Sequence, residues 1–418
     1  MENPDYLTRD EAARALGVKP ATLYAYVSRG LLRRAKDHAR RRSMYLREDV
    51  ERLKARHPGP PVKAETASRA LRWGEPVVNT NITYIDSTGP FYRNRKASEL
   101  ADSGISFETV VHLLLAGVWQ PGIEAWPELE TPAYCQKALA LGMKGVESDD
   151  VSKVLARAIL ALGMSGGGAR ELAGNRVQAE RLIIQTLAGC LGYFSPAKRF
   201  VHRRANEPIA VQVLRAAACE PTEDNRSAVN QALVLLADHE LASASFASRI
   251  AASTNSDLFS CVAAALCVHA GSSTVAATTA VDERLFEPLS RRNWSEMQRF
   301  AAQRGTSLFG FNHPLYPKGD PRAEYLLRLA SKLKPMDPKV PMLLEFLAQA
   351  KAESSVLPGI AVALVILARS VGMPRDGASV LWILSRSVGW MAHALEQRTQ
   401  GFMLRPRARY VGGEPGAL

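Results

Sequence analysis

Leu384-Ser385-Arg386-Ser387-Val388-Gly389-Trp390-Met391-Ala392-His393-Ala394-Leu395 sets one guanidinium, Arg386, inside a stretch that is otherwise small and apolar. Its periodicity predicts a single helix over 377–399. A charge in such a helix needs an opposite charge or a ligand, because an unpaired ion is costly to bury. Outward from this stretch the same pattern repeats. From about Ser106 the chain reads as amphipathic helices over 106–116, 150–163, 178–193, 208–218, 224–253, 257–270, 290–303, 321–333, 339–351 and 357–371. Apolar residues make up 47% and aromatics only 7%, with Ala and Leu dominant, so helices packed on helices are expected and the fold class is mainly α. Residues 70–95 are the exception, with Val77, Val78, Ile82, Tyr84 and Ile85 giving them extended character.

Polar groups in apolar surroundings mark the places where chemistry is expected. Asp238-His239-Glu240 interrupts the helix around Leu233–Ala251. Gly310-Phe311-Asn312-His313-Pro314-Leu315-Tyr316 reads as a loop, and Asp320-Pro321-Arg322 starts the next helix. Arg405 and Arg407 flank Pro406 after the last helix. Guanidinium forks match carboxylates bidentately and imidazoles bond carbonyl or hydroxyl oxygens, so the set suits a pocket for a di- or tricarboxylate. On spacing alone, each of these residues serves equally as a structural hydrogen-bonder.

The N-terminal 57 residues hold fourteen Lys/Arg against eight Asp/Glu, about half of the chain's net charge of +12. Thr8 and Glu11 form a capping box, Gly17 ends the first helix, and Pro20 opens a second that stops at Gly30. Helix, short turn and second helix is a DNA-reading arrangement. Leu31 to Arg42 reads as a basic wing, returned by Ser43-Met44-Tyr45-Leu46, with a third helix over 47–56. This segment resembles the winged helix-turn-helix of the MerR/excisionase type over residues 5–55. That resemblance would place Thr22, Tyr24 and Arg29 toward DNA, with Arg33, Arg34, Arg40, Arg41 and Arg42 on its phosphates. A protein-contact role is the competing reading. His57-Pro58-Gly59-Pro60-Pro61 begins a stiff linker over 58–68.

Several classes are set aside. The longest apolar run, Gly359 to Ala368, is half of the ~20 residues that span a bilayer. The first residues, Met1-Glu2-Asn3-Pro4-Asp5, lack the apolar core of a secretory signal. The five cysteines, Cys135, Cys190, Cys219, Cys261 and Cys267, contain no Cys-x-x-Cys pair. A cytoplasmic protein with buried thiols and no metal site is expected. Ser165-Gly166-Gly167-Gly168 lacks the Lys-Ser/Thr of a phosphate loop and reads as a flexible connection.

Taken in order, the polar fragments resemble citrate synthase. The resemblance rests on Asp238-His239-Glu240-Leu241 with Phe246 and Arg249, on Gly310 to Tyr316, on Asp320-Pro321-Arg322-Ala323, on Arg386 to Gln397, and on Leu404 to Gly412. It spans about residues 70–412 and implies a helical homodimer. A large domain (69–275 and 376–418) and a small one (276–375) would close over the substrates. Carried over, His239, His313, Arg322 and Arg386 would bind oxaloacetate or citrate. His313 would act catalytically by polarising the ketone, and Arg405 would reach the neighbouring subunit's pocket. No cofactor is implied; acetyl-CoA or another acyl-CoA would be a substrate.

The chain departs from the family's pattern. Asn312 stands for a common Gly, and Ala242 for an Asn. Aligned without gaps, Thr274 takes the place of the histidine that bonds the thioester carbonyl, and Ala361 that of the proton-abstracting Asp. His269, five residues upstream of Thr274, is the candidate displaced substitute for the histidine; Glu353, eight residues before Ala361, and Asp376, fifteen beyond it, do not replace the Asp. Forming the enol needs a positioned acid and base, each worth typically ~10²–10⁴ in rate. Three functions follow: a carboxylate-responsive, DNA-binding regulator with little condensing activity; an acyltransferase of the citrate or 2-methylcitrate type using displaced groups; or other chemistry, such as decarboxylation or C–C cleavage, on a bound acid.

Overall fold

The computed structural model describes residues 6–16, 18, 20–28, 31–37, 42–50, 78–127, 129–142, 151–271, 278, 281–282, 310–354 and 356–406. They fall into two compact units, one within residues 1–79 and the other Thr80–Arg405.

The first unit starts with β1 (Tyr6–Thr8), α1 (Arg9–Leu16) and α2 (Pro20–Ser28), followed by β2 (Arg34–Asp37) and β3 (Arg42–Leu46). The capping box forms: the Thr8 amide donates to Glu11 Oε2 at 2.8 Å, and the Glu11 amide to Thr8 Oγ1 at 3.4 Å. The expected wing is the antiparallel pair β2–β3. The sequence reading missed β1, which adds to the other side of β3. Its three residues are too few to show a strand period. Ala12, Ala13, Leu16, Leu23, Leu32, Tyr45 and Val50 make a small core of their own. The linker 58–68, most of the third helix, and Arg29, Arg40 and Arg41 lie outside the described residues, as does the Arg42 side chain.

The second unit opens with the extended segment, a hairpin of β4 (Thr83–Asp86) and β5 (Gly89–Tyr92) with a short β6 (Arg95–Lys96). Helices follow: α3 (Ala97–Asp102), α4 (Phe107–Ala116), α5 (Ala133–Gly142), α6 (Val151–Leu162), α7 (Gly168–Leu172), α8 (Arg176–Phe194), α9 (Ile209–Ala216), α10 (Glu223–Leu236), α11 (Ser243–Ala252), α12 (Leu258–His269), α13 (Pro321–Lys332), α14 (Val340–Ser354), α15 (Ile360–Val371) and α16 (Gly377–Gln400). The almost wholly buried α16 packs on α8, α10, α11 and α12. It is therefore apolar on every side rather than on one stripe. The expected helix 224–253 is two helices, α10 and α11, because Asp238-His239-Glu240 forms a turn with Glu240 at φ 55°. Ser165 to Gly168 is no loose connection. The chain kinks at Ser165 and at Gly166, whose φ is 81°, before α7, and a methyl on Gly168 would lie 2.8 Å from Asp257 Cγ. The glycines there permit close packing.

Among the described residues no helix is long and apolar enough to cross a membrane, and no acidic, His or Cys group is arranged to hold a metal. All five cysteines are free thiols. The domain boundary expected at 275/276 and the helix expected over 290–303 lie outside the described residues. The position expected as the other boundary, 375/376, lies between α15 and α16.

Candidate functional site

The site gathers where α10 ends, where α13 begins and midway along α16. Tyr92 of β5, fully buried, donates its hydroxyl to Leu235 O at 2.8 Å and so fixes the end of α10. The turn beyond it presents Asp238 and His239. Asp238 Oδ2 accepts the Glu240 amide at 3.1 Å, which stabilises the left-handed Glu240. Ala242 then occupies the N-cap of α11 with no side-chain cap. The Asn expected there would have supplied one, a contribution of about 1 kcal/mol.

The loop before α13 is shaped by caps and close approaches. Asn312 adopts φ 54°, a conformation that Asn tolerates better than other residues with side chains, so it can replace a glycine. Its Oδ1 accepts the Leu357 amide at 3.1 Å, its own amide donates to Leu357 O at 2.8 Å, and Gly359 N donates to Gly310 O at 2.7 Å. A methyl on Gly359 would stand 2.6 Å from Gly310 O. The loop carrying His313 is thereby fastened to the turn that starts α15. Asp320 caps α13 through the Arg322 amide at 3.0 Å, with Pro321 in the first turn. Arg322 folds back and grips the same carboxylate with Nε at 3.0 Å and Nη2 at 2.7 Å.

Four of the five expected pocket residues come together. His239 Nε2 lies 2.9 Å from the Tyr316 hydroxyl, and its ring meets His313 edge to face with centroids 5.6 Å apart. Arg322 lies over the Tyr316 ring at 5.5 Å. Arg386 reaches Asp238 Oδ1 and Ser245 Oγ, both at 3.4 Å. The fifth, Arg405, is exposed in the stretch after α16. Tyr316 and Asp238 were not singled out as site residues from sequence, although both lie inside the quoted motifs.

The electrostatics favour an anion. Burial, then Arg322, Arg386 and His313, hold the His239 imidazole well below its ordinary 6.5. Burial and Arg322 lower His313 likewise. His313 Nδ1 accepts the Leu315 amide at 3.2 Å, so the neutral ring carries its proton on Nε2. Burial would raise the Asp238 carboxyl, but His393 and Arg386 outweigh it and hold it down at about 2. Burial pushes the Tyr316 phenol up to about 12. Two neutral imidazoles and two guanidiniums, each guanidinium shared with one aspartate, can receive the extra negative charge of a carboxylate ligand.

Ala361 sits in the first turn of α15, buried to 4% exposure. Its methyl takes no proton. Thr274 lies outside the described residues. Of the displaced substitutes, His269 is buried edge-on against Trp382 and Trp390, with centroids 5.8 and 5.3 Å away. Burial and Arg386 push it down to about 3. Asp376 lies at the start of α16, and the Glu353 side chain is outside the described residues.

In the first unit, Arg33 is held by Asp49, which receives its amide at 2.9 Å and its Nε and Nη2 at 2.8 Å each. This pin ties the strand's start to the segment after the wing and commits the guanidinium internally. Arg34 lies over the exposed Tyr24 ring at 5.9 Å, and Thr22 is half-buried.

A mainly helical body with two histidines and two arginines gathered in one place defines a class, and the comparisons agree with it. The chain belongs to the citrate synthase family: residues 71–407 match the citrate synthase C-terminal domain. Residues 6–58 match a helix-turn-helix domain. Among curated relatives, citrate synthase 2 of Bacillus subtilis is 30% identical over 196 residues, 46% of this chain and 53% of its own. Citrate synthase of Saccharolobus solfataricus is 30% identical over 48% of this chain and 56% of its own. The matched stretches thus span about half the length of these relatives. A 2-methylcitrate synthase of Mycobacterium tuberculosis matches more widely, at 25% identity over 78% of this chain and 86% of its own. The fold is that of the Thermoplasma acidophilum citrate synthase solved with carboxymethyl coenzyme A and oxaloacetate. The TM-score is 0.71 at 22% identity, covering 84% of this chain and 97% of that one.

Proposed function

We propose that the body is a receptor for a di- or tricarboxylate of the oxaloacetate/citrate type with little or no acyl-CoA condensing activity, and that the N-terminal module carries its occupancy to DNA. Arg322 and Arg386 would share their aspartates with the ligand's carboxylates, and His313 Nε2–H would donate to its carbonyl or hydroxyl oxygen. The carrying observation is Ala361: a buried methyl stands where the family resemblance expects the base, on a helix start fastened to the His313 loop. Removing a proton from an acyl-CoA methyl needs a positioned acceptor, and Ala361 offers none. In a dimer, with Arg405 completing the neighbour's pocket, ligand-driven closure would change the spacing of paired DNA-reading modules. Such control requires unequal ligand affinity for the two states.

The test is release of coenzyme A thiol from acetyl-CoA or propionyl-CoA with oxaloacetate. The expected result is no release above the uncatalysed rate, together with thermal stabilisation by citrate that Arg386→Ala and His313→Ala abolish. Robust turnover would overturn the reading and favour the second one, an acyltransferase of the citrate or 2-methylcitrate type. The wide match to a 2-methylcitrate synthase supports that alternative. The DNA arm is tested by a salt-sensitive gel shift with the promoter of the protein's own gene. Binding unchanged after replacing Arg40, Arg41 and Arg42 by Ala would count against the wing.

A further inference from the structure

We propose that His393 and Arg249 are positioning residues for the carboxylate pocket: Arg249 locks the His393 ring with its donor nitrogen turned to Asp238, and Asp238 aims Arg386 and the turn bearing His239. The inference rests on the carboxylate-binding reading above and adds to it residues that touch no ligand.

Arg249 of α11 is fully buried, and a guanidinium is kept in such a place only by partners for its donors. Four of its partners come from the last two turns of α16. Nη1 donates to Glu396 Oε2 at 2.7 Å and to His393 Nδ1 at 3.2 Å. Nε donates to Gln397 Oε1 at 3.1 Å, and Nη2 to Gln400 Oε1 at 2.9 Å. A guanidinium has no acceptor, so His393 Nδ1 must be the accepting nitrogen, which leaves Nε2 as the ring's N–H. That Nε2 stands 3.4 Å from Asp238 Oδ2, a close polar contact without hydrogen-bond alignment, and both residues are fully buried. The same Oδ2 takes the Glu240 amide, while Oδ1 faces Arg386. Glu396, Arg249, His393 and Asp238 thus form one polar chain, partly exposed only at Glu396, that ends on a pocket arginine. A purely structural filling role would need the volume of the imidazole. The positioning role needs the donor on one particular nitrogen.

The experiment exploits that difference. His393→Gln places an amide nitrogen where Nε2 stands, whereas His393→Asn places it near Nδ1. Citrate affinity of the full chain is measured by calorimetry, with thermal melts as the control for folding. The Gln variant is expected within about threefold of the parent. The Asn variant should bind about tenfold to a hundredfold more weakly, the range for loss of an orienting outer partner. Equal affinities for the two variants would overturn the proposal. If the Asn variant does not melt cooperatively, Arg249→Lys, which keeps the charge but not the fork, takes its place: the same weakening supports the chain, and unchanged affinity refutes it. Nitrogen-15 spectra of the histidines read the tautomer without any ligand. An Nε2–H ring at position 393 is expected, and an Nδ1–H ring would sink the inference. A parent protein that binds neither citrate nor oxaloacetate would overturn the pocket reading, while these spectra still decide the tautomer.

Discussion

Gly389→Ala should destabilise this protein, although alanine normally strengthens a helix. In an unconstrained helix interior the change is favourable by roughly 0.5–1 kcal/mol. Here the residue lies on the face of α16 that meets the end of α10, and its amide donates to Ala237 O at 3.0 Å rather than only within its own helix. A methyl would overlap Asp238 Oδ1, and would stand 2.7 Å from Asp238 Cγ and 2.9 Å from Ala237 O. Forcing an extra methyl into packed surroundings costs typically ~1–3 kcal/mol. Moving Asp238 off Arg386 gives up a hydrogen bond to a charged group, ~1.5–3 kcal/mol. The net expectation is a loss of about 2–5 kcal/mol, read as a lower midpoint of urea unfolding with the slope unchanged. Citrate affinity should fall as well, because the displaced carboxylate no longer aims the guanidinium. A variant as stable as the parent, or more so, would show that Asp238 is not held against α16, and the account of the pocket would fail with it.

Three further outcomes follow from the same geometry. Arg322→Ala leaves the buried Asp320 carboxylate without its bidentate partner, which should cost about 3–5 kcal/mol of stability in thermal or urea melts; a change near zero would mean that solvent reaches Asp320. His269 is held neutral with its pKa pushed down to about 3 against 6.5 unfolded, burial being the main cause. Its folded value is depressed, so the associated stability is fully present above 6.5 and lost as pH falls toward 3. His269→Phe should flatten that acid limb of the stability curve, and an unchanged limb would refute the burial. Asp49→Ala should lower the melting temperature of the N-terminal unit by releasing Arg33, while Arg34→Ala should leave the melt alone and reduce the salt slope of DNA binding by about one.

Much of this was legible in the chain because local signals and tertiary demands coincide. The Thr8/Glu11 box, the Asp320-Pro321 start of α13 and the long run of α16 are set by capping and periodicity, and the structure places each where the residues put it. Charge and imidazole among Ala and Leu drew attention to His239, His313, Arg322 and Arg386, but it was the family resemblance, not their spacing, that gave them a shared role. What escaped depends on distant contacts. No periodicity predicts that His393 and Arg249, 144 residues apart, share a hydrogen bond. Nor does any local signal say that Asp49 rather than phosphate engages Arg33. The break at Asp238 was visible, but its consequence, a left-handed Glu240 that separates two helices, required the surroundings that stabilise it.

The clasp between the Gly310–Asn312 loop and the Leu357–Gly359 turn has an engineering corollary. Imidazole 313 and side chain 361 therefore sit on two segments that are stitched to each other through Gly310, Asn312, Leu357 and Gly359. A carboxylate installed by Ala361→Asp would inherit a ready-made mount instead of needing a rebuilt loop.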